Sequence, residues 1–227
     1  MDGKLITLEG IDGSGKSTQL RMLAGELRLR GVDVLQTREP GGTPLGRRLR
    51  EAFLETEEDV HPMSELLLFA ADRAQHVNYL IKPAIAEGKV VLSDRFADAT
   101  FAYQGAGRGF PEETVSEVIY LATGGLTPDL TLFFDLPVER ALLRTNDEDS
   151  EHRITNRMDQ ETNEFYVRVR RSYMGIAERE PDRFKVVDAD RSISEIQHDV
   201  VEIVTAFLGL PAPEKRERAA KPAEEPA

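Results

Sequence analysis

Five short apolar runs, rich in β-branched or aromatic residues and bounded by turn chemistry, punctuate the chain at residues 4–9, 33–37, 90–93, 131–135 and 184–187. Runs of this kind, without strict polar alternation, predict strands covered on both faces. Between them apolar positions recur at helical spacing. Residues 17–30 carry Leu20, Leu23, Ala24 and Leu27 on one stripe and stop at Gly31, a helix-ending residue. Comparable stripes cover 46–54 and 64–86, the latter opening on Ser64 as a cap and interrupted by Pro83. Residues 111–122 begin with a proline, which suits a first helical turn. A further helix begins over 138–143, and 162–180 and 194–208 are amphipathic. Strand and helix in alternation predict a three-layer α/β fold, a five-stranded, mostly parallel sheet with helices on both faces. One domain is expected over residues 1–210, followed by a disordered tail, PAPEKRERAAKPAEEPA, over 211–227.

Composition narrows the partners. With 41 acidic against 29 basic residues the net charge is −12, which argues against nucleic acid, whose binding rests on Lys and Arg neutralising phosphates. The chain has no cysteine, so disulfides and thiolate metal sites are out. Met1-Asp-Gly-Lys4 runs straight into the first strand, and no apolar run approaches the ~18–20 residues of a membrane helix. A soluble cytoplasmic protein that does not engage a membrane is expected.

The first strand runs into GIDGSGKS, residues 10–17, which fits G-x-x-x-x-G-K-[ST]. Glycines let backbone N–H groups converge on phosphate oxygens without a Cβ in the way. The helix that follows offers free N-terminal amides and its positive dipole end to the same anion. Gly10, Ile11, Asp12, Gly13, Ser14, Gly15, Lys16, Ser17 and Thr18 are the expected ATP-phosphate cradle, Lys16 reaching the β- and γ-phosphates and Ser17 ligating Mg²⁺. A strand–helix connection holding nothing is the plain alternative, but this turn follows a buried strand and opens a helix. A P-loop alone leaves GTPase switches, motors and small-molecule kinases open.

Further segments bear on that choice. VVLSDRF puts Asp94 and Arg95 at the carboxyl end of the third strand, where open α/β sheets seat ligands. Asp94 is a candidate organiser of Mg²⁺ or its waters, and Arg95 a candidate clamp on a second phosphate; a surface ion pair is the alternative. REPGGT, residues 38–43, makes a tight loop at the same edge, or simply a turn. In SELLLFAADRAQH, Phe69 and Arg73 share one helix face. Singly they read as core and as solvated charge; together they suit a nucleobase. Tyr103, Gln104 and Arg108 of ATFAYQGAGRG, too polar for a core, predict a mobile loop over a substrate or a plain surface loop. DSEHRITNRMDQET, residues 149–162, carries Arg153 and Arg157 and predicts a lid that brings charge to a transferring phosphoryl group. Its acidic neighbours Asp147, Glu148, Asp149 and Glu151 also allow a solvated charge run.

In order and spacing, LEGIDGSGKST, TREPGGTPLG, LLLFAADRAQH, DRFADATFAYQG-GRG and NRMDQE together resemble the thymidylate kinase family, from about residue 4 to about residue 208. The resemblance implies a P-loop NTPase fold, a kinase making dTDP from dTMP with ATP and Mg²⁺, and a homodimer. It implies Lys16 and the amides of 12–18 on the ATP phosphates, with Ser17 and Asp94 at the metal. Asp12 matches the residue at the sugar 3′-hydroxyl, Phe69 and Arg73 those on thymine, and Arg95 the one on the dTMP phosphate. Thr100, Tyr103 and Gln104 match residues lining base and sugar, Tyr103 suited to block a ribose 2′-hydroxyl; Glu39 and Pro40 join the substrate-binding set. Members carry a catalytic arginine either in the P-loop or in the lid. Gly13 stands at the P-loop position, so a lid over about 145–160 is implied to supply it, Arg153 first and Arg157 second. DRF replaces the usual DRY or DRH, and the lid is more acidic than usual.

The expected catalytic set is therefore Lys16, Arg95, Asp94 and a lid arginine. Two other readings stay open: a kinase for another nucleotide or a deoxynucleoside, and a non-catalytic nucleotide-binding switch. The switch would want a guanine-reading NKxD element, which the sequence lacks.

Overall fold

The computed structural model describes residues 2–145 and 157–212. Five parallel strands form one sheet in the order β2-β3-β1-β4-β5: β1 Lys4–Glu9, β2 Val34–Arg38, β3 Val90–Asp94, β4 Leu130–Asp135 and β5 Phe184–Asp188. The mixed component that "mostly parallel" allowed is absent among the described residues, because every strand-to-strand connection crosses over through helix. Consecutive β1 residues serve opposite faces. Leu5 joins Val91, Val77, Ile81 and Val115 in one cluster. Ile6 and Leu8 join Val90, Leu92, Leu20, Leu23, Leu27, Val200 and Val204 in the other. Burial on both faces is why β1, β3 and β4 read as near-continuous apolar runs, whereas β2 and β5, expected to be covered alike, are edge strands that stay partly exposed.

The helices are α1 Lys16–Leu29, α2 Pro44–Leu54, α3 Pro62–His76, α4 Lys82–Ala86, α5 Ala97–Thr100, α6 Glu112–Thr123, α7 Val138–Thr145, α8 Asn163–Arg179 and α9 Ile193–Phe207. Several ends are capped as their sequences suggest: the Thr43 and Thr162 side chains accept from Gly46 N and Phe165 N, and Ser192 with Glu195 forms a reciprocal capping box. The expected helix over 64–86 differs at both ends of its logic. It starts at Pro62, capped by His61 rather than Ser64, and it passes Pro83. A π-helical stretch, Val77–Ile81, precedes the proline and leaves it in the first turn of α4, where a missing N–H costs nothing.

The segment expected as a mobile loop is also helical. After α5 the chain continues as π-helix over Phe101–Gly107, with Tyr103 and Gln104 buried. Its polar groups enter the interior because partners wait there, as described below.

Register brings three loops to one edge. β1 pairs with β3 so that Leu8 faces Asp94, and β2 pairs with β3 so that Arg38 faces Asp94. The turns after β1, β2 and β3 thus leave side by side at the carboxyl end of the sheet, next to the point where strand order reverses.

Candidate active site

The turn after β1 is shaped by three glycines with left-handed φ: Gly10 at 145°, Gly13 at 80° and Gly15 at 89°. At Gly10 a Cβ would lie 2.8 Å from the Phe134 carbonyl oxygen, so no other residue fits. Gly15 opens α1 without a side-chain cap, which leaves the first-turn amides for an anion. Lys16 is buried and folds back, its Nζ donating to the Ile11 carbonyl at 2.8 Å. Burial, reinforced by Arg95, lowers the Lys16 ammonium from 10.5 to about 8. An arriving phosphate would reverse that shift.

Ser17 Oγ donates to Asp94 Oδ2 at 2.6 Å, while the buried Asp94 Oδ1 has no partner among the described residues. A hydroxyl and a carboxylate side by side, with an oxygen to spare, fit a Mg²⁺ that keeps most of its ligands as water and substrate phosphate.

Arg95 is held in the left-handed region at φ 70°, the one non-glycine residue there among those described. Such a conformation is strained and persists where neighbours over-determine it. Its N–H donates to the Leu8 carbonyl at 3.0 Å, and its Nη2 donates to Asp12 at 2.9 Å, the Tyr103 hydroxyl at 3.1 Å and the Gly10 carbonyl at 3.3 Å. Nη1 and Nε make no protein hydrogen bond among the described residues. Although burial works the other way, Arg95 and Lys16 hold the Asp12 carboxyl at about 2. Behind the turn, Glu9 accepts from Phe96 N and the Tyr173 hydroxyl, each at 2.7 Å. Burial, with the Asp98 charge adding to it, pushes Glu9 from 4.5 up to about 8.

An open cleft, about 600 Å³ with the adjoining solvent space included, is lined by Asp12, Phe69, Arg73, Arg95, Thr100, Tyr103 and Gln104. Phe69 stands edge-on to Phe53, ring centres 4.8 Å apart. Arg73, which singly read as solvated, is 2% exposed. Its burial is supported by Glu39: Arg73 Nε donates to Glu39 Oε2 at 2.8 Å, Nη1 to Thr100 Oγ1 at 2.8 Å and Nη2 to the Phe96 carbonyl at 3.0 Å. Glu39 in turn meets His76 Nδ1 at 2.8 Å, and His76 Nε2 meets Thr37 Oγ1 at 2.6 Å. The Glu39–Pro40 bond is cis, Pro40 lines the cleft, and the Gly41 amide donates to the buried Asp72.

Arg157 sits in a short 3₁₀ turn, Arg157–Gln160, and pairs with the fully buried Glu65 while its Nε donates to the Phe53 carbonyl at 3.4 Å. It is thus committed to the body rather than facing the P-loop. Arg153 lies outside the described residues. Glu65 also accepts from Gln104 and Arg108, a network that sequence reading missed, as it missed Glu9. Arg38, Arg50 and Met158 line the cleft too. Arg50 had a legible signal: it falls on the inward stripe Gly46, Arg50, Phe53, Leu54 of α2, where a charge is out of character.

The chain is similar to known proteins. A family model described as thymidylate kinase matches residues 8–200. A thymidylate kinase of Pseudomonas putida is 48% identical over 209 residues, covering 92% of this chain and 98% of that protein. One of Chlorobium luteolum is 46% identical over 203 residues, covering 87% and 95%. The solved thymidylate kinase of Ehrlichia chaffeensis superposes with a TM-score of 0.73 at 33% identity, covering 89% of this chain and 98% of that one.

Proposed function

The chain belongs to the thymidylate kinase family and phosphorylates dTMP to dTDP with ATP and Mg²⁺, and we propose that the residues at the sheet edge divide that work as follows. Lys16 and the amides of residues 12–18 hold the ATP phosphates. Arg95 presents Nη1 and Nε to the dTMP phosphate, while Nη2 stays anchored on Asp12, Tyr103 and Gly10. Phe69 covers the pyrimidine, Arg73 donates to a base oxygen, and Thr100, Tyr103, Gln104, Glu39 and Pro40 complete the pocket. Asp12 reaches the sugar. Ser17 and Asp94 would hold Mg²⁺ or its waters, and the ion would supply positive charge to the phosphates.

A dTMP phosphate oxygen is already anionic, so the chain's task is positioning and charge rather than proton abstraction. Arg153 is assigned the charge that meets the transferring phosphoryl group. Arg157, tied to Glu65, anchors the lid instead. One observation carries this division: two anion-binding ends, the α1 terminus with Lys16 and the Arg95 fork, open on the same sheet edge with an aromatic- and arginine-lined cleft beside them. Product analysis with ATP–Mg²⁺ and each monophosphate in turn tests it; dTDP from dTMP is expected. Nucleotide binding without transfer to any monophosphate would instead favour the switch reading.

We place residues 1–210 in the kinase domain and 211–227 outside it, with cytoplasmic residence alongside the nucleotide pool. A homodimer is supported by exposed Leu67 on α3 and Tyr120 and Leu121 on α6, helices that pack together. Sedimentation equilibrium reads the oligomeric state directly.

A further inference from the structure

Gln104 lines the cleft but is almost wholly buried, and its amide has two ends of opposite hydrogen-bonding character. The nitrogen end is taken: Nε2 donates to Glu65 Oε1 at 2.8 Å. Glu65 itself is fully buried on α3 and sits among donors, with Arg108 Nε and Nη2 at 3.1 and 3.0 Å and the Arg157 guanidinium on its second oxygen. Burial opposes its ionisation, but these hydrogen bonds hold the carboxyl below its ordinary range. An ionised carboxylate accepts and never donates. The Gln104 amide therefore cannot turn over without setting its oxygen against Glu65 and leaving a buried N–H unpaired. The Oε1 end has no protein partner among the described residues and is the polar atom left for the cleft.

We propose that Glu65 is a specificity-positioning residue: by fixing the polarity of the Gln104 amide it makes the base pocket present an acceptor there, so that the pocket demands a ring N–H donor. This rests on the assignment of the pyrimidine to the cleft between Phe69 and Gln104. Thymine and uracil carry a proton at N3 and satisfy Oε1. Cytosine has a bare N3 acceptor at that position and meets lone pair with lone pair. It also meets the Arg73 donors with a 4-amino group, so two residues share the discrimination, and Glu65 governs the Gln104 share. A site whose polar groups are left unpaired rejects an analogue strongly, which makes the polarity of one buried amide consequential.

The test compares dUMP with dCMP, which both lack the 5-methyl group, in steady-state assays of the full-length parent, Glu65→Gln, Gln104→Met and the double variant. The parent is expected to prefer dUMP in kcat/KM. In Glu65→Gln the amide gains a partner able to donate as well as accept, and the preference shrinks about tenfold, the effect of one mispaired hydrogen bond. In the Gln104→Met background the same Glu65 change leaves the ratio where it is, because the residue it acts through is gone. A merely structural Glu65 would lower both substrates alike and keep the ratio, and that result overturns the proposal. A parent that shows no preference for dUMP refutes instead the placement of the base, so the two failures are distinct. If Glu65→Gln does not fold, the wild-type protein still decides. The side-chain amide protons of Gln104, identified by their loss in Gln104→Met, should keep their chemical shift and slow exchange when dTMP binds. A large shift or fast exchange on binding would mean that the amide turns toward the base, and would sink the idea.

Discussion

Replacing Arg95 by lysine separates charge from geometry at the turn after β3. The arginine has two jobs: Nη2 is engaged by Asp12, the Tyr103 hydroxyl and the Gly10 carbonyl, which leaves Nη1 and Nε for phosphate. A lysine brings one ammonium for both and cannot make a parallel pair of bonds to a phosphate. A hydrogen bond to a charged group contributes ~1.5–3 kcal/mol, so losing one of two lowers kcat/KM for dTMP by roughly 10- to 150-fold. Losing both in Arg95→Ala costs about 3–6 kcal/mol, effectively abolishing turnover. Initial rates of ADP release, read against dTMP concentration, give these values; ATP affinity by calorimetry serves as the control and should change little. Stability adds a second readout. Arg95 sits at φ 70°, where a Cβ costs ~1–2 kcal/mol and glycine's extra chain entropy returns about 0.5–1 of it. Arg95→Gly should thus be as inactive as Arg95→Ala, yet more stable in urea by roughly 0.5–1 kcal/mol. A lysine variant within threefold of the parent would remove Arg95 from the phosphate site, and equal urea midpoints for the alanine and glycine variants would remove the strain argument.

Arg153→Ala should lower kcat by ~10³ with the dTMP KM little changed, as for a charge met only in the transition state, while Arg157→Ala should lower the melting temperature and raise that KM; the reverse pattern in steady-state kinetics would exchange their roles. Since burial lowers Lys16 to about 8, ATP binding should take up close to one proton at about pH 9 and almost none at about pH 7. Calorimetry in buffers of different ionisation enthalpy measures this, and binding without proton linkage across that range would contradict it. Glu9 has its folded pKa raised from 4.5 to about 8, so the folded state keeps a proton that the unfolded chain gives up. Its contribution to stability is complete below pH 4.5 and is lost as pH rises through about 8. Glu9→Gln, neutral throughout, should gain in melting temperature over the parent as pH rises from 5 to 8.5 and keep near-parental activity at pH 7; a gain independent of pH would refute the protonated state.

Whatever a short contiguous segment can encode was legible before folding. Strands covered on both faces are largely apolar, so β1, β3 and β4 stood out, the shorter runs of the edge strands β2 and β5 completed the sheet, and crossover helices between them made it parallel. The P-loop was equally legible, because its anion site is main-chain amides, glycine torsions and one lysine within eight residues. Tertiary structure decided the rest, because a charged or polar side chain enters an interior only if a partner comes from elsewhere. Arg73 could be read as solvated until Glu39, 34 residues away, was brought beside it. Tyr103 and Gln104 could be read as a mobile loop until Arg95 and, 39 residues from Gln104, Glu65 supplied their partners. The strained φ of Arg95 belongs with them, since it depends on neighbours that sequence spacing does not reveal. Backbone-built chemistry is local and was written in the chain; the pairing of buried charges is a property of the fold.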